Sequence, residues 1–166
     1  MRENIVIYTV FGGAMINDKV KEILNEQINK EFYSAYLYLA MSAYFDKTGL
    51  YGFANWTKIQ AKEEVEHGMM IFDHLIDRDA KVELKQINCP EIDFHSPLQV
   101  FEKILEHEKN VTAAITEIAY MSMEECDLTT KTFINWYITE QVEEESGLFC
   151  DSNVSLFCNE SRLYWI

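Results

Sequence analysis

The chain of 166 residues contains four long stretches in which apolar side chains recur every three or four residues, a spacing that predicts α-helices. Asn17 or Asp18 is a suitable N-cap for the first stretch, which continues until Gly49. The second stretch runs from Leu50 to about Ala80. Only 6 Gly and 2 Pro are present, so the chain has little of the turn chemistry that a fold with many strands needs. The fold class is therefore predicted to be all-α.

A long connection, 81–96, has no helical period and separates the second helix from the third. Ser96 and Pro97 suit the N-cap and first position of the third helix, which extends to Glu125. Asp127 is a suitable N-cap for the fourth helix. Extended, a connection of this length spans up to about 50 Å, whereas a helix of about 28 residues is about 42 Å long. We therefore predict an antiparallel four-helix bundle in which one long crossover joins two helix pairs.

The chain is expected to form one domain flanked by two segments outside it. Residues 1–14 are interpreted as an N-terminal extension, because Met15 directly precedes the first cap signal. The bundle is assigned to residues 15–145. Residues 146–166 are interpreted as an atypical tail, because they carry no sustained helical stripe and because residues 151–153 favour a helix break.

The composition also restricts the partners and the compartment. A formal net charge of −14 repels nucleic acid and anionic membrane surfaces and favours cations. No apolar run approaches the roughly 20 residues that span a bilayer, so no membrane partner is expected. The cysteines are widely spaced and predict free thiols in a reducing cytoplasm. They are Cys89, Cys126, Cys150 and Cys158.

Acidic side chains occupy positions that helical spacing assigns to the inside of the bundle. Glu31 lies seven residues after Leu24 and four before Ala35, so the three share one face. The same analysis places further polar residues inward on the other helices: Glu64, His67, Glu108 and Glu144. Glu31 and Glu64 each lie 14 residues from the ends of the tight turn that joins their helices, which places them at one level.

Several carboxylates converging inside a bundle would cost several kcal/mol per ion unless cations balance them. Oxygen ligands with a single imidazole favour iron or manganese over structural zinc. The alternative is a purely structural bundle with acids at its rim. It would require the assignment of inward positions to be wrong on four helices independently. The pattern therefore predicts a metal centre.

Four stretches of the chain carry these residues: NEQINKEFYSAYLYLAM, GFANWTKIQAKEEVEHGMM, FEKILEHEKNVT and TFINWYITEQVEEE. In order and spacing they resemble the four helices of ferritins, and of bacterial-type non-haem ferritins in particular. The resemblance covers about Ile16 to Glu145. It implies that Glu31 and His67 hold a first iron, that Glu64 bridges, and that Glu108 with Glu144 hold a second.

The same resemblance implies further site residues. Tyr38 corresponds to a tyrosine that hydrogen-bonds beside the site and can help to move electrons, and Gln141 stands where symmetric di-iron proteins have the Glu of a second Glu-x-x-His motif. Three acids match an accessory third iron site but are also ordinary surface positions: Glu63, Glu140 and Glu143. Trp136 is interpreted either as a redox neighbour or as a core residue, and no ligand role is assigned to the remaining histidines.

The implied function is iron storage and detoxification. A ferroxidase of this family oxidises Fe(II) with dioxygen or hydrogen peroxide and deposits ferric mineral inside a homo-oligomeric cage of 24 subunits. The alternatives are a rubrerythrin-like di-iron peroxidase, although a second Glu-x-x-His motif and a Cys-rich iron domain are lacking here, and a non-storing iron-binding subunit. After Glu145 the chain departs from the family pattern, through a changed reading frame or a divergent terminus, and a protein whose cage fails to form is expected to bind iron but to store little of it.

Overall fold

The computed structural model describes residues 15–90 and 93–151, and of residues 147–151 only the backbone. The predicted extension 1–14 and residues 152–166 of the predicted tail lie outside the described residues. Four helices and no strands are present in the described part, which confirms the all-α class. The helices are α1 (Asp18–Lys47), α2 (Tyr51–Asp77), α3 (Pro97–Glu124) and α4 (Leu128–Asp151).

Side-chain caps start three of these helices at the predicted places. The Asn17 side chain accepts a hydrogen bond from the Lys19 N–H at 2.8 Å, which identifies Asn17 as the N-cap of α1. Ser96 accepts one from the Gln99 N–H at 3.1 Å at the start of α3. At the start of α4, the Asp127 side chain accepts one from the Thr130 N–H at 3.0 Å.

Two helix ends differ from the sequence-based boundaries. Helix α2 ends at Asp77, before the predicted Ala80, because Asp79 adopts a positive φ of 50° and turns the chain out of the helix. Helix α4 continues past Glu145 to Asp151. The backbone of α4 therefore remains helical beyond the last residue of the apolar pattern from which its end was predicted.

The long crossover runs along α1 without helical structure in its described residues. Asn25 on α1 holds it through two contacts: its amide donates to the Lys81 carbonyl at 3.1 Å, and its oxygen accepts from the Glu83 N–H at 2.6 Å. Near the other end, Phe94 is buried in the core. The crossover is therefore fixed to the bundle at both ends.

The core consists of two apolar clusters separated by a polar layer. One cluster contains the first turns of α1, including Leu24, with Ile71 on α2 and Ile134 on α4. The other contains the last turns of α1, including Phe45, with Ile104 on α3. Helix α1 packs mainly against α2, and α3 packs against α4. No helix in the described part of the chain is long and apolar enough to span a membrane.

Candidate metal centre

The five residues predicted as metal ligands come from all four helices and lie between the two apolar clusters. Glu31 is on α1, Glu64 and His67 are on α2, Glu108 is on α3 and Glu144 is on α4. The first four side chains are buried, and Glu144 is half-buried. Acidic residues are almost never buried to this degree unless they are paired or hold a cation.

Three of these side chains form a close group on α1 and α2. One potential ligand atom each from Glu31, Glu64 and His67 lies within 4.8 Å of the other two. His67 Nδ1 is 3.6 Å from Glu64 Oε2. Among the described side chains, Glu31 Oε2 and Glu64 Oε2 are buried without a hydrogen-bond partner. Buried oxygens are normally satisfied, so these two are suited to bind a cation.

The carboxylates of α3 and α4 are held by protein donors instead. The Tyr38 hydroxyl donates to Glu108 Oε1 at 2.6 Å, and the Gln141 amide lies 3.3 Å from Glu108 Oε2. The Gln60 amide donates to Glu144 Oε1 at 3.1 Å. Both oxygens of Glu108 therefore have partners, whereas one oxygen of Glu64 has none.

Mutual repulsion and burial change the protonation of this layer. Burial raises the pKa of Glu31 well above its usual value, and the neighbouring Glu64 carboxylate raises it further. The pKa of Glu64 is raised by burial and then by Glu108. Burial, followed by repulsion from Glu108 and Glu63, raises the pKa of Glu144 to about 7. Bound cations would reverse these effects, because a nearby positive charge favours the ionised carboxylate.

Two of the three acids of the predicted accessory site, Glu63 and Glu140, lie near Glu144. Glu63 and Glu140 are half-buried, and Glu143 is exposed. Glu63 and Glu140 both raise the pKa of Glu144, so their carboxylates lie close enough to interact with it. Within the described side chains, the three do not form a second close group of ligand atoms.

The structure distinguishes Trp136 on α4 from the adjacent Tyr137. Tyr137 is buried, and its hydroxyl donates to the His67 carbonyl at 2.6 Å. Trp136 is 42% exposed, and its ring contacts the edge of the His67 imidazole, with 5.3 Å between ring centroids. Trp136 is therefore a neighbour of the site and not a core residue.

Three further histidines lie outside the close group of ligand atoms: His74, His95 and His107. His74 stacks on Phe133 with 4.1 Å between ring centroids, and its Nε2 is 3.1 Å from Thr130 Oγ1. His107 Nε2 is 2.7 Å from Ser34 Oγ. His74 and His107 therefore each have a polar partner within the bundle.

One buried polar side chain at the centre was not predicted from the sequence. Gln27 lies one turn before Glu31 on α1 and donates to Glu31 Oε1 at 2.7 Å. A glutamine four residues before an inward acid, on the same face, is the signal that could have identified it.

Comparisons with known proteins agree with this geometry. The family model for a ferritin-like domain matches residues 21–148. A bacterial non-heme ferritin of Staphylococcus aureus is 41% identical over 132 residues, 80% of each chain, and one of Staphylococcus epidermidis is 40% identical over the same share. An open-pore ferritin of the hyperthermophilic archaeon Archaeoglobus fulgidus superimposes with a TM-score of 0.86 at 44% identity, covering 89% of this chain and 90% of that one.

Proposed function

The chain belongs to the ferritin family, and from this premise we propose that it oxidises Fe(II) at the buried carboxylate layer and stores the ferric product. The protein is thus a ferroxidase with iron as its substrate. The observation that carries the proposal is the pair of buried oxygens without hydrogen-bond partners, Glu31 Oε2 and Glu64 Oε2, beside His67. Oxygen ligands with one imidazole suit iron.

The roles proposed for the individual ligands are those that the family resemblance implies. Glu31 and His67, which lie in one close group with Glu64, are proposed to hold the first Fe(II), and Glu64 is proposed to bridge to the second. Glu108 and Glu144 hold the second Fe(II). Two Fe(II) ions supply one electron each to dioxygen. Bound iron would favour the ionised form of the carboxyl groups whose pKa values burial raises.

Tyr38 and Gln141 are proposed to set the orientation of Glu108. The Tyr38 hydroxyl on α1 donates to one oxygen of the Glu108 carboxylate, and the Gln141 amide on α4 approaches the other oxygen. The Gln141 amide also lies 3.2 Å from Thr112 Oγ1, so it joins α3 to α4 at the level of the site. The protein thereby supplies geometry in a nearly dry interior, and the substrate iron supplies the redox chemistry.

We further propose an accessory iron position at Glu63, Glu140 and Glu143. Two observations support it: the half-burial of the first two side chains and their electrostatic effect on Glu144. Iron held there would be on the route between the oxidation site and the surface of α2 and α4.

Ferritins are cage-forming oligomers, and we propose a 24-subunit cage with dioxygen or hydrogen peroxide as the oxidant. Large apolar side chains exposed on α1 and α2 support burial between subunits. Among them are Tyr36, Leu39 and Ile76.

A cytoplasmic location is proposed because the described cysteines, Cys89 and Cys126, are free and exposed thiols.

Anaerobic titration of the metal-free protein with Fe(II), followed by admission of air while absorbance is recorded, tests the proposal. We expect two tightly bound Fe(II) per chain and rapid oxidation, both lost in Glu31→Ala and His67→Ala. An absence of stoichiometric binding, or oxidation at the rate of the buffer in all three proteins, would contradict the ferroxidase function.

A further inference from the structure

Three glutamine amides contact three of the four carboxylates that are proposed as ligands, but they do so in different ways. Gln60 spans both oxygens of Glu144, at 3.1 and 3.4 Å. Gln141 lies 3.3 Å from one oxygen of Glu108, whose other oxygen accepts from a tyrosine. These contacts leave neither carboxylate with an oxygen that lacks a partner.

Gln27 differs because it engages only one oxygen of its carboxylate. Its amide donates to Glu31 Oε1 at 2.7 Å, the shortest of the glutamine contacts, while Glu31 Oε2 has no partner. Glu31 also belongs to the close group of potential ligand residues with Glu64 and His67. Glu31 therefore presents one oxygen to a cation and has the other restrained along α1.

The burial of Gln27 needs a reason beyond packing. The side chain is 1% exposed and lies next to the apolar Ile28, Leu24 and their cluster. Placing a carboxamide there costs desolvation, which a leucine of similar volume would avoid. A hydrogen bond to a buried ionisable carboxyl offsets that cost, so the position suits a donor directed at Glu31.

We propose that Gln27 is a positioning residue that makes Glu31 a one-oxygen ligand of the first metal ion. This inference rests on the proposed function and goes beyond it, because it assigns the coordination mode of the first ion to a side chain that does not contact the ion. Gln27 acts through Glu31 alone. Its loss should therefore change the first metal position before it changes the second.

Co(II) is a suitable probe, because the intensity of its visible bands falls as its coordination number rises to six. The full-length protein would be titrated with Co(II) up to one equivalent per chain, and then to two. Gln27→Leu removes the donor at similar volume, and Gln27→Asn withdraws the amide by one methylene. Two variants are used so that a folding defect in one still leaves the test complete.

We expect both variants to bind the first Co(II) about 10-fold to 100-fold more weakly and with a less intense spectrum, because the released Glu31 oxygen adds a ligand. Gln60→Leu is the matched control: it should keep the first-ion spectrum of the wild type and change the second. Unchanged first-ion affinity and spectrum in the Gln27 variants would overturn the inference. A wild-type protein without a tight first Co(II) would overturn the metal site itself, and the inference with it.

Discussion

At the scale of single residues, the unusual property of this protein is a buried layer of acids in which two carboxylate oxygens have no hydrogen-bond partner. Glu31 and Glu64 each retain an oxygen without a hydrogen-bond partner, although both side chains are almost fully buried. The metal-free protein thus bears a cost of desolvation and repulsion that bound iron removes. We therefore expect iron binding to stabilise the fold.

The hydroxyl of Tyr38 is predicted to contribute to both stability and rate. Tyr38→Phe leaves a buried oxygen of Glu108 unpaired, so the free energy of unfolding should fall by about 1–2 kcal/mol. Glu108 also loses its fixed orientation, and Fe(II) oxidation should slow by about 10-fold or more. Urea unfolding and stopped-flow absorbance measure the two effects.

Ser42→Ala is the matched control for Tyr38→Phe. It removes a buried 2.7 Å hydrogen bond to the Ala54 carbonyl, away from the site. We expect it to reduce stability to a similar extent and to leave the oxidation rate unchanged. Equal oxidation rates in wild type and Tyr38→Phe would refute the proposed role of the phenol.

At the scale of elements, three helices end in the same hydrogen-bonded motif with different residues at the critical position. That residue is Gly49 after α1, Asp79 after α2 and Cys126 after α3, with φ values of 78°, 50° and 55°. In each case its N–H and the following N–H bond back to carbonyls in the last turn of the helix. This is the Schellman arrangement, which favours glycine because a Cβ is strained at positive φ.

Cys126→Gly is therefore predicted to stabilise the protein by about 1 kcal/mol. The gain should appear as a higher urea midpoint for the metal-free protein. Cys126→Ala is the control, since it removes the thiol and keeps the Cβ, and it should give no gain. A glycine variant that is no more stable than the alanine variant would contradict the assignment of strain.

A second prediction at this scale concerns the contact between the end of α2 and the start of α4. Arg78 donates to Asp127 at 3.0 Å, and the Asp127 side chain is 7% exposed. Burial alone would raise the pKa of Asp127, but hydrogen bonds from Arg78 and Thr130 outweigh it, so the pKa lies below its usual value. The interaction of Asp127 with Arg78 and Thr130 therefore contributes fully to stability at pH values above about 3.9, the pKa of an aspartate in the unfolded chain. This contribution is lost as the pH falls below that value.

Arg78→Met should consequently lower the free energy of unfolding at neutral pH, and the difference from wild type should shrink as the pH falls from about 7 to about 3. Urea unfolding across that range measures it. Lys19→Met serves as the control, because it removes an ion pair with Glu125 at the surface, where the Lys19 side chain is 67% exposed; a small effect is expected. A penalty for Arg78→Met that does not depend on pH would exclude Asp127 as its source.

At the scale of the whole molecule, storage depends on assembly, whereas oxidation depends on the single bundle. All five proposed ligands precede the described end of α4 at Asp151, and none comes from residues 152–166. The strongly acidic chain, with a net charge of −14, would also repel other copies unless apolar contacts and cations offset that repulsion.

We therefore predict that iron loading beyond two ions per chain will follow assembly. Light scattering after size-exclusion chromatography gives the mass of the oligomer, and electron microscopy shows any mineral core. If the oligomer is small, the protein should still bind and oxidise two Fe(II) per chain but store little. A mineral core in a small oligomer would contradict this dependence of storage on the cage.

Much of the architecture could be predicted because it depends on local rules. Helical spacing placed Glu31, Glu64, His67 and Glu108 inward, and the structure buries all four. Capping chemistry located the starts of α1, α3 and α4 at Asn17, Ser96 and Asp127, since a side-chain oxygen must satisfy the first free N–H groups.

Only the tertiary structure determines which oxygens of each carboxylate have a hydrogen-bond partner. Spacing allowed Trp136 to be either a core residue or a neighbour of the site, whereas the structure exposes Trp136 and buries the adjacent Tyr137, whose hydroxyl donates to the His67 carbonyl on α2. Sequence likewise could not predict that Glu108 would have partners for both oxygens while Glu31 kept one free. Periodicity determines which way a side chain points from its own helix, but a hydrogen bond between helices depends on distances of a few ångströms that only the packing of all four helices sets.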